Sequence, residues 1–174
     1  MTKQLILGID PGSQTTGYGL IQVCDKKLIY IDSGCIRLSS YPMSQRLNIL
    51  FNSILDITQQ HNPTDSAIEQ IFMHRNPGAA LKLGQARGVA LVALTQSGMS
   101  VAEYSARQVK QSVVGYGAAQ KHQMQGMVAH MLELEGEPQS DAADALAIAI
   151  CHIHSQQSYQ HLDGINHIRQ GRFR

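Results

Sequence analysis

Leu5-Ile6-Leu7-Gly8-Ile9-Asp10-Pro11-Gly12 is the stretch from which the rest of the chain is read. A short apolar run stops at a strong turn signal, the pattern of a buried strand that ends on a carboxylate. Residues 17–23 and 28–38 give two more candidate strands, broken at Pro11-Gly12 and at Asp25-Lys26-Lys27. Breaks this short predict an antiparallel meander. The period changes at Met43. Leu47, Leu50, Ile54 and Ile57 recur at helical spacing, so 43–60 is predicted as an amphipathic helix, ended by His61-Asn62-Pro63. A short strand over 66–71 carries Glu69, a helix rich in Ala, Leu and Gly covers 79–96, and a strand covers 100–104. Ser105 and Gln108 are placed as a capping box for the next helix. Two more helices are predicted over 121–134 and 141–155. Strands first and strand–helix units afterwards predict an α/β domain over 1–156, a mixed five-stranded sheet flanked by helices. The polar residues 157–174, rich in Gln and His, are expected to form a loosely ordered tail.

The chain has 174 residues and 19.1 kDa, enough for one domain with a full core. With 43% hydrophobic and 16% charged residues, intrinsic disorder is excluded. The longest apolar run, 145–151, is far short of the roughly 20 residues of a membrane span. The apolar run after Met1-Thr2-Lys3-Gln4 is too short for a secretory signal. Cys24, Cys35 and Cys151 form no CxxC pair and read as reduced thiols, so a cytoplasmic location is expected. Net charge is only +1, but 66–130 holds six Lys and Arg against Glu69 and Glu103. That mid-chain excess is compatible with a polyanion partner, and equally with an ordinary mixed surface.

Four acids stand in unusual places. Asp10 ends the most apolar strand, and Glu69 sits on a second buried strand. Asp141 and Asp144 open the last helix at i, i+3 and share one face. Singly, each has a structural reading: Asp10 starts a turn, and Asp141 complements a helix dipole. Glu69 fits such a reading least, since a lone carboxylate on an apolar strand costs several kcal/mol unless paired. Gathered together, four carboxylates repel one another unless a cation holds them. Oxygen-only ligands select hard ions, Mg²⁺ or Mn²⁺. Two such ions a few Å apart clamp the attacking and leaving oxygens of a phosphodiester. His152 and His154, at i and i+2 on a helix, face different ways and read as core or surface histidines.

Several ordered blocks resemble the RuvC family of bacterial Holliday-junction resolvases. They are Ile6-Leu-Gly-Ile-Asp10-Pro-Gly-Ser13, Ala67-Ile-Glu69-Gln-Ile-Phe72-Met73, Ala80-Leu-Lys-Leu-Gly-Gln-Ala-Arg-Gly-Val89, Ala106-Arg-Gln-Val-Lys110-Gln111 and Ala142-Ala-Asp144-Ala-Leu-Ala-Ile-Ala149. The resemblance spans about residues 5–155. It implies a ribonuclease H-like fold, a homodimer, and a two-metal site of Asp10, Glu69, Asp141 and Asp144. It implies nicking of two opposite strands of a four-way DNA junction, leaving 5′-phosphate and 3′-hydroxyl ends. It also implies work beside the RuvAB branch-migration complex in recombination and repair. Two rival readings share parts of the pattern. The Gly8–Gly17 stretch resembles the first phosphate loop of actin-like ATPases, but no second Asp-Gly-Gly loop exists here. The YqgF-type nucleases acting on RNA are similar but lack the 80–89 block.

With the resemblance in hand, Lys110 and Lys121 are expected to contact backbone phosphates, although either reads equally as a solvated lysine by itself. Phe72 is expected to stack on an unpaired base or wedge a base step, with Arg75 beside it on a basic loop; an aromatic at a strand exit also caps cores. The helix over 79–96 is the candidate dimer interface. Ala80, Gly84 and Gly88 form a stripe that would admit a second helix or pack on the protein's own sheet.

Overall fold

The structure, a computed structural model, describes residues 4–25, 27–71 and 76–170, with the backbone alone for 159–170. Three strands come first: β1 (Gln4–Asp10), β2 (Thr15–Cys24) and β3 (Lys27–Arg37). Then α1 (Met43–His61), β4 (Asp65–Glu69), α2 (Pro77–Gln96) and β5 (Val101–Tyr104) follow, and α3 (Ala106–Val114), α4 (Lys121–Met131) and α5 (Ser140–Gln170) end the chain. The sheet order is β3-β2-β1-β4-β5. β1, β2 and β3 form the expected antiparallel meander, and β4 and β5 run parallel to β1. The change of direction of the pairing follows from the chain: breaks of four and two residues return antiparallel, whereas a helical crossover returns parallel.

Alternation along β1 divides the core in two. Leu7 and Ile9 point to one face, where they meet Leu50 and Ile54 of α1 and Ala86, Ala90 and Leu94 of α2. Ile6 points to the other, where it meets Val109 of α3, Val128 of α4 and Leu146 of α5. Asp10 shares the parity of Ile6, and Glu69 shares that of Ala67, which also packs on the α5 side. Both acids therefore face the α5 layer. α5 is buried almost all round from Ala142 to Ile153, sandwiched between the sheet and α3 with α4.

Local signals decide most boundaries. The capping box of α3 is present: Gln108 N donates to Ser105 Oγ at 3.3 Å and Ser105 N to Gln108 Oε1 at 2.9 Å. Asn62 ends α1 in the left-handed region at φ 50°. α2 begins two residues before the expected start, with Pro77 in its first turn and the Asn76 side chain accepting from Ala79 N. β4 stops at Glu69 rather than 71, because its ladder with β1 ends at the pair Ile9–Ile68. α4 stops at Met131 rather than 134, where Glu133 turns the chain at φ 51°. The largest correction is to α5. It does not end near Ser155 but continues to Gln170. Gln156, Gln157, Gln160 and Leu162 form helix readily, no Pro follows, and Gly164 does not end the helix. Phe72 and Arg75 lie outside the described residues.

Candidate metal centre

Asp10 is the last residue of β1, directly opposite Gly17 of β2. The turn after it is closed by Thr16, whose buried hydroxyl accepts from Gly12 N at 3.2 Å and donates to Gly12 O at 3.0 Å. Arg46 of α1 braces the same turn, donating to Ser13 O at 2.9 Å. Asp141 and Asp144 are brought over Asp10 by a track of glycines. Gly8 and Gly19 are cross-strand partners, and Gly17 is one step further along β2. A Cβ on Gly17 would run into the carbonyl of Asp141. One on Gly8 would run into the carbonyl of Ala145 and come within 2.8 Å of Ala149 N, and one on Gly19 would lie 2.7 Å from the Leu146 side chain. With no Cβ at these three positions, the first two turns of α5 lie with their backbone almost on the sheet.

One oxygen each from Asp10, Asp141 and Asp144 lies within 4.8 Å of the others. Glu69, at the end of the neighbouring strand, stands outside this tight triad but is electrostatically coupled to Asp10 and Asp144. All four predicted acids thus meet at one end of the sheet. Burial pushes the Asp10 carboxyl up to about 8, and Asp144, Glu69 and Asp141 push it the same way. Burial raises Glu69, with Asp144 adding and Lys110 opposing. Burial also raises Asp144, opposed first by Lys121, whose Nζ lies 3.3 Å from Asp144 Oδ2, and further raised by Asp141. Such a cluster is costly to ionise, and all its donors are carboxylate oxygens. That donor set fits a hard divalent cation, which would replace mutual repulsion by shared attraction.

Lys110 and Lys121 both stand at the carboxylates, on α3 and at the start of α4. His152 and His154 are no metal pair. His152 is buried, its Nδ1 2.9 Å from the Tyr104 hydroxyl, and His154 Nδ1 lies 3.0 Å from Ser112 Oγ. Burial lowers His152 below the usual histidine range. The three cysteines are free thiols. No helix among the described residues is long and apolar enough to cross a membrane. Sequence reasoning passed over the glycine track. Its signal was Gly17-Tyr18-Gly19 inside a strand, a pattern that marks a close backbone approach.

Residues 6–152 match the profile of a known family, described as crossover junction endodeoxyribonuclease RuvC. A crossover junction endodeoxyribonuclease RuvC of Legionella pneumophila (strain Lens) is 54% identical over 171 residues, covering 98% of each chain. A RuvC structure from Thermus thermophilus superimposes with a TM-score of 0.81 at 32% identity, covering 89% of this chain and 96% of that one. The T. thermophilus RuvC in complex with a Holliday junction substrate superimposes at 0.80 and 33% identity, over 86% of this chain and 93% of that one.

Proposed function

The chain belongs to the RuvC family of crossover junction endodeoxyribonucleases, and from that premise we propose that residues 1–156 form a metal-dependent nuclease that resolves four-way DNA junctions. It cuts two opposite strands and leaves 5′-phosphate and 3′-hydroxyl ends. The observation that carries the reading is the meeting of Asp10, Asp141 and Asp144 within 4.8 Å at the end of β1. Burial first and then the neighbouring carboxylates push Asp10 upward, which makes the cluster costly to ionise without a cation.

Asp10, Glu69, Asp141 and Asp144 would hold two Mg²⁺ ions, with Mn²⁺ able to substitute. Bound there, the ions supply Lewis-acid stabilisation of the charge that builds on the phosphodiester and a nucleophile from water. The chain's own residues do the rest. The glycine track fixes the carboxylates by backbone contact, so little reorganisation is needed when substrate arrives. Lys121 pairs with Asp144 at 3.3 Å and would be free for a phosphate oxygen where Asp144 served as a metal ligand. Lys110 stands ready for a second phosphate. Phe72 and Arg75, three and six residues beyond Glu69 in sequence, would engage the unpaired bases and phosphates of the junction centre.

The working form would be a homodimer through α2, because a junction with near two-fold symmetry needs two identical sites. On α2, Ala86, Ala90, Ala93 and Leu94 pack inward. Gly88 faces open space, and Leu81 and Val92 are 71% and 56% exposed. An apolar groove between Leu47 and Phe51 of α1 and Gly84 and Val89 of α2 continues that face. Its small residues let a second helix approach. The location would be the cytoplasm, with the RuvAB branch-migration complex as partner.

The test is a nicking assay on a four-way junction with Mg²⁺, with duplex and RNA–DNA hybrid as controls. Paired nicks in the junction alone are expected. Cleavage of the hybrid in preference to the junction would overturn the reading.

A further inference from the structure

Glu69 is the last residue of β4, and the two ladders that hold it end at different places. The β1–β4 ladder stops at Ile9–Ile68, while the β4–β5 ladder reaches Glu69–Tyr104. Beyond that pair, Gln70 N donates to Tyr104 O at 2.8 Å. In a planar trans peptide the carbonyl of one residue and the N–H of the next point opposite ways, and no cis bond occurs among the described residues. The Glu69 carbonyl therefore faces away from β5, to the side where β1 has stopped pairing. There it accepts from Arg87 Nε of α2 at 3.0 Å. The same guanidinium reaches Glu103 of β5 through Nη2. Its side chain is only 16% exposed, so the bond to the Glu69 carbonyl lies partly out of water, while Glu103 is itself exposed.

We propose that Arg87 is a positioning residue for the nuclease site, bracing the Glu69 backbone at the point where the sheet releases it. This rests on the reading of Glu69 as a metal ligand. The Glu69 carboxylate faces the α5 layer with Asp144 and Asp10, while Arg87 grips the same residue by its main chain from the α2 side. The main chain sets where the carboxylate begins, and a small error in its placement is felt at the site. Arginine suits the task because one rigid plane carries donors to two acceptors on two strands; lysine has a single point charge. Arg87 touches neither substrate nor the proposed ions, and it acts only through Glu69.

The experiment uses the full-length protein and the variants Arg87→Met, Arg87→Lys and Glu103→Gln. Mn²⁺ binding to protein alone is measured by calorimetry, and single-turnover junction nicking is measured against Mg²⁺ concentration. Melting, sedimentation and metal-free junction affinity are followed in parallel. Arg87→Met should weaken Mn²⁺ binding and raise the Mg²⁺ midpoint by about 10–100-fold, the usual effect of removing a group that orients a ligand. Junction affinity and oligomeric state should not move. Arg87→Lys should fall between Arg87→Met and wild type, and Glu103→Gln, which keeps the Nε bond, should stay near wild type. A folded Arg87→Met with the wild-type Mn²⁺ isotherm and Mg²⁺ midpoint overturns the brace. If Arg87→Met does not fold, Arg87→Lys decides: wild-type metal binding overturns the proposal and weakened binding supports it. Wild-type protein that neither binds Mn²⁺ nor nicks junctions overturns the metal-site reading, and the brace with it.

Discussion

Asp10 carries the largest electrostatic cost in the molecule's acidic cluster, and that cost is measurable without substrate. Its carboxyl ionises near 3.8 in the unfolded chain and at about 8 in the folded one. Between those values folding takes up a proton, so stability is present below about 4 and is lost as pH rises towards about 8. Asp10→Asn removes this loss. In EDTA at pH 8 the variant should melt several degrees above wild type, since each ~1 kcal/mol is worth ~2–4 °C at this size. At pH 4 the gap should close. His152 titrates the other way but is common to both proteins, so the difference between them reports Asp10 and its repulsion with Asp144 and Glu69. The same variant should cut junctions at least about a thousandfold more slowly, because metal stabilisation of the transition state is worth several kcal/mol. Junction binding in gel shift should survive, and its loss in step with cleavage would contradict the role given to Asp10. Lys121→Ala tests the other side of the site. Removing one phosphate contact should reduce the salt slope of log K by about one. An unchanged slope would leave Lys121 as a partner of Asp144 alone. The acids were legible in the sequence because apolar strands make a carboxylate conspicuous. Arg87 was not, because what it binds is a main-chain carbonyl, and no residue pattern marks that.

Among the elements, α5 shows where sequence reading succeeds and where it stops. The i, i+3 spacing of Asp141 and Asp144 placed both on one helical face, and the helix is there. What spacing cannot show is how close that face comes to the sheet. Gly8, Gly17 and Gly19 are far from α5 in the chain, and their joint meaning exists only once β1 and β2 pair in the observed register. The end of α5 was missed for a different reason. Polar composition suggests a tail, yet Gln costs a helix little and no Pro breaks this one. The strands and the first four helices were legible because period changes and turn residues coincide at their ends. Gly17→Ala should destabilise by about 1–3 kcal/mol as overpacking, or unfold the protein. The surviving folded fraction should bind Mn²⁺ more weakly, because Asp141 is pushed off the sheet. Gly126→Ala on α4 is the contrasting case: its Cβ would meet only Glu137 Oε1, at 4.0 Å, so melting should hold or rise by up to about 1 kcal/mol as helix propensity improves. Equal losses from the two alanines would show that crowding under α5 is not what makes Gly17 special.

At the scale of the whole molecule, the proposed nuclease site and the proposed dimer face lie on opposite sides of one sheet. The carboxylates face α5, and the open groove lies between α1 and α2. Leu81→Asp should therefore sediment as a monomer at micromolar concentration, keep its melting point, and nick junctions singly rather than in pairs. A variant that stays dimeric with paired nicks would move the interface elsewhere. The glycine track has a consequence for motion. Side chains on a loop can be loosened while a core stays shut, but here Asp141 and Asp144 hang from a helix whose backbone rests against the central strands. No hinge lies between them. Lifting α5 as a body, so that both Asp141 and Asp144 part from Asp10, would also lift Leu146 and Ala149 from β1 and β2, and that is most of the way to global unfolding. Amide exchange should show it: protection over 17–20 and in the second and third turns of α5 should reach the slowest class in the protein. The enzyme then keeps its ligands in register for as long as it keeps its core.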